Sequence, residues 1–264
     1  MSMPQWLRFP VEKRADFEKL RDERLDPETP SRYPDWAETR EQFKDHELPL
    51  GITICGAYGT PRNFFGEEKL AYVYYDDPDL IHDIMRWWLH FYKRAISIIT
   101  DNFHELDYVL FWEDMAHKTG PLISPEFVRI FMMPYYEELI DHIRSCGIDL
   151  IWVDTDGNAE VLLDMFVDSG VTMMCPFEIA AGFEPMPVRK KFGDKLAIFG
   201  GIDKRAVAEG GQVMKDEVLR KVPALLETGG YIPCIDHATP PDTSLQRHQE
   251  FVDFLRELGE KYGG

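Results

Sequence analysis

Six short apolar runs, separated by longer amphipathic stretches, constrain what this chain can fold into more than any other feature. A strand that is buried on both faces reads as a continuous run of Val, Ile and Leu. Alternation of such runs with helical stretches is typical of parallel βα units. The runs therefore predict an α/β fold built on a parallel sheet. They occupy residues 52–55, 108–112, 150–153, 171–175, 196–199 and 231–234.

Polar or acidic residues follow each of these runs. The carboxyl ends of parallel strands lie at one edge of a sheet, and α/β proteins bind their ligands at that edge. We therefore expect these residues to lie together around one ligand-binding site at that edge, which we call the mouth. They are Gly56-Ala57-Tyr58-Gly59, Glu113-Asp114, Asp154-Thr155-Asp156-Gly157-Asn158, Glu178, Gly200-Gly201-Ile202-Asp203 and Asp236-His237.

Length and charge bound the class of protein. A chain of 264 residues can bury a substantial core, and α/β barrels of this length often form one domain. The formal net charge of −18 would repel nucleic-acid phosphates and anionic lipid headgroups. We therefore expect an enzyme-sized protein with no nucleic-acid partner and no membrane partner.

The four cysteines, Cys55, Cys146, Cys175 and Cys234, are widely spaced and form no CxxC or CxH pair. This spacing is typical of neither a zinc ribbon nor a disulfide scaffold, and it indicates a reducing compartment. No apolar run reaches the roughly 20 residues that span a bilayer, and the first residues lack the profile of a signal peptide. We expect a cytoplasmic protein.

Composition changes along the chain at residue 47. Residues 1–47 are charged and contain several prolines, which indicates an N-terminal helical segment. Strands and helices alternate over residues 48–264, which indicates a single barrel-type catalytic domain. Capping residues, prolines and glycines predict helices over residues 11–25, 34–46, 159–169, 185–192, 212–227 and 244–262, one that begins at Asp77-Pro78, and one over 125–146 with a kink at Pro134.

The six predicted βα units fall short of the roughly eight that close the common barrel. Either two strands are hidden in residues 1–47, or this is a (β/α)8-type barrel that is N-terminally shortened to about six units. Residues 1–47 contain no Val- and Ile-rich run, which favours the shortened barrel. Such a barrel has an open sheet edge, and we expect a homo-oligomer that covers it.

Asp154 and Asp156 form the sharpest chemical signal in the sequence. Alternate residues of a strand share a face, so the two carboxylates are expected to project together into the mouth. Because like charges repel, such a pair needs a cation, a shared proton or a cationic substrate. The alternative is that Asp156 and Asn158 are ordinary turn and capping residues beside Gly157.

His237 follows the last predicted strand, directly after Asp236. An imidazole beside carboxylates suits a divalent metal or a general acid–base pair. In a closed ring, His237 would lie opposite Asp154 and Asp156. The alternative is a histidine that only makes a structural hydrogen bond.

Further candidates lie at other strand ends. Glu113 or Glu178, if buried beside apolar rings, would have a raised pKa and could act as an acid. The turn over residues 200–203 suits close approach of the backbone to a ligand, and a tight βα turn explains it equally well. Three cysteines near strand ends are interpreted as packing residues rather than thiolate ligands: Cys55, Cys175 and Cys234.

Several motifs occur in a fixed order over residues 48–258. They are Trp112-Glu113-Asp114-Met115, Gly120-Pro121-Leu122-Ile123-Ser124-Pro125, Asp156-Gly157-Asn158, Phe199-Gly200-Gly201-Ile202-Asp203, and Asp236-His237 before Pro240-Pro241-Asp242. In this order they resemble the uroporphyrinogen decarboxylase superfamily. The leading Pro4-Gln5-Trp6-Leu7-Arg8-Phe9-Pro10 is similar to its uncharacterised members. The resemblance implies a (β/α)8 barrel. It also implies either porphyrinogen decarboxylation or the transfer of methyl groups between corrinoids and thiols or other carriers.

The chain departs from both branches of that superfamily. The decarboxylases grip a polycarboxylated tetrapyrrole with an arginine-bearing N-terminal motif and an early aspartate, and the sequence shows neither. The zinc methyltransferases carry His-x-Cys and a later cysteine where this chain has Asp154, Asp156 and His237. The resemblance thus places these three residues at metal-ligand positions. Two oxygens and one nitrogen suit zinc or a harder ion such as magnesium, manganese or iron.

The resemblance implies a corrinoid-linked methyltransferase that takes a methyl group from a small methylated substrate, with a methylcorrinoid carried by a partner protein. Asp154, Asp156 and His237 would hold a metal or polarise the methyl donor. Glu113 and Glu178 would supply protons or orient the substrate. The residues expected to bind the substrate are Tyr58, Asp114, Asn158, Asp203 and Asp236.

Two alternatives remain. One is decarboxylation of uroporphyrinogen in tetrapyrrole biosynthesis, which needs no metal or cofactor, and for which Arg62, Lys204 and Arg205 are the nearby cations. The other is a truncated, non-catalytic barrel that acts as a partner of a corrinoid protein. The count of six units motivates this second alternative.

Overall fold

The computed structural model describes residues 8–263. Within them lie α1 (Arg14–Arg24), α2 (Trp36–Phe43), α3 (Gly59–Phe65), α4 (Glu67–Asp76), α5 (Pro78–Asn102), α6 (Pro125–Phe131), α7 (Met133–Ser145), α8 (Leu163–Ser169), α9 (Pro185–Phe192), α10 (Lys204–Glu209), α11 (Gly211–Glu227) and α12 (Leu245–Tyr262). The strands are β1 (Gly51–Cys55), β2 (Tyr108–Trp112), β3 (Ala116–His117), β4 (Gly120–Pro121), β5 (Leu150–Asp154), β6 (Met173–Cys175), β7 (Ala197–Ile202) and β8 (Tyr231–Ile235).

The chain divides into two compact units. The first contains the residues up to Glu113 together with Ile123–Ile151, and the second contains Asp114–Leu122 together with the residues from Trp152 onward. The prediction of a single barrel domain that begins at residue 48 stays a prediction. Pro4 to Leu7, the start of the leading motif, lie outside the described residues.

In the first unit, β1 and β2 pair in parallel, with Gly51 opposite Tyr108 and Cys55 opposite Trp112. The long helix α5 begins where the sequence predicts, because the Asp77 carboxylate accepts a hydrogen bond from the Leu80 N–H (3.0 Å) and Pro78 occupies the first turn. A stripe of apolar residues on α5 is buried, as an amphipathic helix requires. It includes Leu80, Ile81, Ile84, Met85, Trp88 and Ile96.

Two aromatic side chains attach α5 to the end of β1. The Trp88 ring nitrogen donates to the Cys55 carbonyl (2.8 Å), and the Cys55 N–H donates to the Tyr92 hydroxyl (3.0 Å). Trp88 is fully buried. Trp88 is therefore part of the core of the first unit.

A proline separates α6 from α7. The sequence predicts one kinked helix over residues 125–146, whereas the structure has two helices that meet at Met132. Pro134 lies in the first turn of α7, where its missing N–H and its ring prevent continuation of the preceding turn. The predicted kink is therefore a complete break.

In the second unit, four strands pair in parallel in the order β5, β6, β7, β8. β3 and β4 form a small antiparallel pair. Helix α9 has the bounds that the sequence predicts, and α11 and α12 differ from the predicted bounds by one residue each. The helices α3, α4 and α10 are absent from the sequence prediction, because they are short.

The glycine turn at the end of β7 has positive φ angles at Gly200 (104°) and Gly201 (75°). A Cβ at Gly200 would collide with the backbone of Pro176, so glycine is required by close approach as well as by φ. Buried Lys221 on α11 donates to the Gly201 carbonyl (2.9 Å) and pairs with Glu217 (2.5 Å). The turn is thus stabilised by a hydrogen bond and by close backbone contact inside the protein.

These observations confirm the α/β prediction. The described residues contain six parallel strands, β1, β2 and β5 to β8. Each of them overlaps one of the predicted apolar runs, in agreement with the expectation of about six βα units. Among the same residues, no helix combines the length and the apolar character that crossing a membrane requires.

Candidate active site

Glu113 follows β2 in the first unit and is fully buried. Its carboxylate accepts hydrogen bonds from the backbone N–H groups of Ala57 (2.8 Å), Tyr58 (2.7 Å) and Gly59 (3.0 Å), and from the Tyr136 hydroxyl. The three amides lie at the turn between β1 and α3. Glu113 therefore joins the end of β2 to that turn.

Burial raises the pKa of Glu113, and its four hydrogen bonds oppose that rise. With four donors and no exposure, the carboxyl has no side open to a substrate. The predicted role of Glu113 as a proton donor therefore does not fit this geometry. Tyr58 is only 2% exposed, so its predicted contact with a substrate does not fit either.

Asp154 ends β5 in the second unit and is partly buried. One carboxylate oxygen accepts a hydrogen bond from the Cys175 thiol (3.3 Å), which lies opposite it on β6. The pKa of Asp154 is raised to about 6, mainly by burial and also by the charges of Asp156 and Asp114, while the hydrogen bond from Cys175 and the nearby His237 oppose that rise. Burial also raises the pKa of Cys175, which keeps the thiol protonated and able to donate.

Asp156 and His237 are in contact. The His237 Nε2 lies 3.2 Å from a carboxylate oxygen of Asp156, and the two side chains are 41% and 40% exposed. Burial raises the pKa of Asp156, the imidazole of His237 opposes that rise, and the charges of Asp114 and Glu178 add to it. The structure thus brings together the two residues that the sequence places after β5 and β8.

Glu178 follows β6, and its two carboxylate oxygens have different partners. One accepts from the Lys204 ammonium (3.4 Å) and the other from the Gly157 N–H (3.1 Å). The side chains of Glu178 and Lys204 are 22% and 21% exposed. Glu178 therefore stabilises the turn that carries Asp156 and still has a partly open side.

Three residues that are predicted to bind the substrate instead form hydrogen bonds with backbone groups of the protein. Buried Asp236 accepts from the N–H groups of Ile179 (2.8 Å) and Lys204 (3.0 Å). Asp203 caps α10 through the Arg205 N–H (2.8 Å), and its carboxylate also pairs with the Arg205 side chain. Asn158 accepts from the Glu160 N–H (3.1 Å) and donates to the Ala181 carbonyl (3.1 Å). The predicted substrate contacts of Asp236, Asp203 and Asn158 do not fit these positions, because their polar atoms are engaged by backbone groups.

Asp114 is partly buried and has a positive φ of 47°. A non-glycine residue in this region is uncommon and marks a locally fixed turn. Its charge acts on both Asp154 and Asp156. Asp114 thus belongs electrostatically to the same cluster as these two residues.

Three residues that touch the predicted site are given no role in it by the sequence analysis. They are Tyr136, which donates to Glu113; Cys175, which donates to Asp154; and Thr155, whose hydroxyl accepts from the Met115 N–H (3.0 Å). The position of Cys175 at the end of an apolar run was a usable signal. Tyr136 lies in a helix, and nothing in the sequence relates it to Glu113.

Asp154, Asp156 and His237 do not form a shared set of ligands. Among the described residues, no group of three or more His, Cys, Asp or Glu side chains is placed to hold one ion. Asp156 pairs with His237, whereas Asp154 accepts from Cys175. This arrangement does not fit the divalent metal that the family resemblance implies at these positions.

Comparison with protein families decides the lineage. The family model described as uroporphyrinogen decarboxylase (URO-D) matches residues 3–258. The chain belongs to this family. The resemblance seen in the ordered motifs is thereby confirmed. A curated relative, the uroporphyrinogen decarboxylase of Salinibacter ruber, is 21% identical over 221 residues, which are 80% of this chain and 60% of that protein.

A solved methyltransferase from Methanosarcina mazei has a similar fold to this URO-D family member. The TM-score is 0.63 at 15% sequence identity, over 84% of this chain and 62% of the other. At that identity the likeness shows the fold. The chain spans about three fifths of the length of both relatives, the decarboxylase and the methyltransferase.

The second unit therefore presents a partly buried acid beside an open carboxylate–imidazole pair. A carboxyl with a pKa of about 6 is partly protonated near neutral pH and can donate a proton, which an ordinary aspartate cannot do. An imidazole that contacts a carboxylate can hold or relay a proton. This is the chemical equipment for general acid catalysis.

Proposed function

We propose that this URO-D family member is a methyltransferase that takes a methyl group from a small methylated substrate and passes it to a corrinoid carried by a partner protein. The observation that carries the proposal is the contact between Asp156 and His237, with Asp154 two residues away. Both side chains of that pair are about two-fifths exposed, so a substrate can reach them.

Cleavage of a methyl–oxygen bond leaves an electron pair on the oxygen, and a proton supplied in the transition state stabilises it. Protonated Asp154 is the residue suited to donate that proton. The Asp156–His237 pair would orient the leaving oxygen and return a proton from solvent to Asp154. Glu178, held by Lys204 and the Gly157 N–H, would keep the turn that carries Asp156 in place.

The corrinoid would supply the nucleophilic centre that accepts the methyl group. It would be held by the partner protein, so no residue of this chain is assigned to hold it. Covering of the sheet edge by a second copy of the chain stays a prediction.

Uroporphyrinogen decarboxylation is the second candidate, and the curated decarboxylase relative favours it. The charges of the second unit oppose it. The charge of Asp114 acts on Asp154 and Asp156, and that of Glu178 acts on Asp156, whereas the nearby Lys204 is paired with Glu178. Arg205 is likewise paired with Asp203. An acidic cluster with paired cations would repel a substrate that carries many carboxylates.

The deciding experiment supplies the purified protein with reduced cobalamin and a methylated donor, and separately with uroporphyrinogen. Formation of methylcobalamin is followed by absorbance, and loss of carboxyl groups by mass spectrometry. We expect methyl transfer by the native protein and by Asp168→Asn, a control at an exposed aspartate of the second unit. Asp156→Asn and His237→Gln should lose transfer.

Three results would contradict the proposal. Loss of carboxyl groups without methyl transfer would support the decarboxylase. Turnover of neither substrate by the folded protein would support the non-catalytic alternative. Transfer that a chelator abolishes and zinc restores would replace the acid mechanism by a metal-dependent one.

A further inference from the structure

One edge of β1, in the first unit, faces away from β2. Among the described strands, only β2 pairs with β1. Successive residues of a strand turn their backbone groups to opposite edges. The Gly56 N–H donates to the Trp112 carbonyl at the end of β2 (2.8 Å). The alternate residues Gly51, Thr53 and Cys55 therefore turn their backbone groups to the other edge, which we call the outer edge of β1.

Side chains of α5 cover one end of this outer edge and leave the rest open. The Cys55 N–H donates to the Tyr92 hydroxyl (3.0 Å), and the Cys55 carbonyl accepts from the Trp88 ring nitrogen (2.8 Å). Gly51 and Thr53 are exposed, and no described residue bonds to the backbone groups that they turn to this edge. These two residues thus offer two N–H donors and two carbonyl acceptors to another strand.

The outer edge of β8 in the second unit is protected against pairing, whereas that of β1 is not. The Asp236 N–H donates to the Ile202 carbonyl of β7 (2.8 Å), so the alternate residues of β8, Pro233 among them, face away from β7. Proline has no N–H, and proteins use it at sheet edges to prevent pairing with another chain. The residues of β1 include neither proline nor a charged side chain. β1 is therefore the strand that is suited to accept a partner.

An apolar groove of about 480 Å³ lies along the outer edge of β1. Its walls come from β1, α2 and α5, and most of its large side chains are aromatic. The one charged group among the described residues that line it is Arg32, whose guanidinium lies 5.3 Å from the centre of the Phe91 ring. Because Phe91 precedes Tyr92, Arg32 lies toward the Cys55 end of the groove. A strand added to β1 would bury apolar side chains here.

We propose that the occupant is a second copy of this chain, with the two β1 strands antiparallel about a two-fold axis at Ile52. Such an axis brings the same surface of both copies together. It places Gly51 of each copy opposite Thr53 of the other, and each of these pairs exchanges two backbone hydrogen bonds. The next pair would be Cys55 with Pro49. The backbone of Cys55 is already engaged and Pro49 has no N–H, so the pairing ends after four hydrogen bonds.

Complementary charge favours a second copy as the occupant. Antiparallel pairing carries Glu47 and Leu48 of the second copy toward the end of β1 where Arg32 lies. Among the described residues, the Arg32 guanidinium donates to two backbone carbonyls and to no carboxylate. Glu47 is exposed, and Leu48 is 77% exposed. Symmetry gives the Glu47–Arg32 pair twice, which offsets the repulsion between two chains of net charge −18. The proposal is independent of methyl transfer.

Sedimentation equilibrium over a range of concentrations tests the association. We expect a reversible dimer of the native protein. Glu47→Lys should raise the dimer Kd about tenfold or more, because it places two like charges together at each end of the contact. Glu257→Lys is the matched control, since it makes the same change of charge at an exposed glutamate of α12. Its Kd should equal that of the native protein.

Cysteine cross-linking tests the register. On the axis, Ile52 lies opposite Ile52 of the second copy as a non-hydrogen-bonded pair, with Cα atoms about 4.5 Å apart, a separation that a disulfide spans. Ile52→Cys should therefore give a covalent dimer on mild oxidation. Two Thr53 residues would be diagonal neighbours about 7–8 Å apart, so Thr53→Cys should not cross-link. The native protein controls for its four free cysteines.

Three results would overturn the proposal. One is a native protein that is monomeric at every concentration, in which case the outer edge of β1 is open to a strand of a different protein or to an apolar small molecule. Another is a Glu47→Lys variant that dimerises as the native protein does. The third is a dimer that Thr53→Cys cross-links and Ile52→Cys does not, because the two chains would then meet in another register.

Discussion

Glu113 in the first unit and Asp154 in the second are both carboxyls whose pKa is raised, mainly by burial. Their surroundings differ in every other respect. Glu113 is fully buried and accepts four hydrogen bonds. Asp154 is partly buried and accepts a hydrogen bond from the Cys175 thiol. The charge of Asp156 contributes to its raised pKa.

This comparison separates a structural acid from one that can do chemistry. A carboxyl saturated with donors stabilises the backbone that supplies those donors, and replacing it leaves them unsatisfied. A carboxyl with few donors and an open side can exchange its proton with a substrate. The direction of a pKa shift does not distinguish the two roles, whereas hydrogen-bond partners and exposure do.

The largest effect is expected for Asp156→Ala. We expect methyl transfer to fall by roughly 100- to 10,000-fold, the usual contribution of an acid–base group. Because Asp156 is two-fifths exposed, the free energy of unfolding should change by less than about 1 kcal/mol. Steady-state kinetics and urea unfolding of the same preparation measure both. A variant that turns over at the native rate would remove Asp156 from the mechanism.

The next effect is expected for Glu113→Ala. Three backbone N–H groups and the Tyr136 hydroxyl would lose their acceptor in a buried place, at about 1–3 kcal/mol for each unsatisfied group. We expect the free energy of unfolding to fall by at least about 3 kcal/mol, partly offset by removal of the buried carboxyl. Urea unfolding measures the loss, with Glu137→Ala, at an exposed glutamate of α7, as the control. A loss as small as that of the control would show that Glu113 is not structural.

The smallest effect on stability is expected for Asp154→Asn, and it has the opposite sign. Because folding raises the pKa of Asp154 from 3.8 to about 6, the folded protein binds an extra proton between those values. That protonation stabilises the folded state at low pH, and the contribution is lost as the pH rises through about 6. At neutral pH the ionised carboxyl is therefore destabilising, and the asparagine removes it.

We expect Asp154→Asn to be more stable than the native protein at neutral pH by about 1–2 kcal/mol, a figure reduced for the partial exposure of the side chain. The gain should shrink as the pH falls below about 6. Thermal or urea unfolding at two pH values measures this. A gain that is equal at both pH values would mean that ionisation of Asp154 is not its source.

Much of the fold could be predicted from the sequence because local signals agree with the tertiary structure. The apolar runs lie in or next to the six parallel strands, and the Asp77 and Ser124 caps start helices where predicted. Pro134 marks a break rather than a kink, since the strength of a proline's effect depends on packing that the sequence does not state. The family motifs supplied the lineage.

The site could be predicted only in part. The sequence predicts that Asp156 and His237 lie close together, because both follow strands of a parallel sheet. The structure shows their contact. It does not separate Glu113 and Asp236 from Asp154, because all follow strands and only the structure shows which of them are closed off by backbone donors. Burial and hydrogen-bond partners depend on distant residues such as Tyr136, and no local pattern encodes them.

The central claim is that Asp154 donates a proton during methyl transfer. The most direct measurement is kcat/KM for transfer from about pH 5 to about pH 8 in the native protein and in Asp154→Asn. Only the protonated acid donates, so we expect the native value to fall as the pH rises through about 6 and the variant to be slow at every pH, without that fall. A variant that keeps the native rate and the native pH profile would contradict the account.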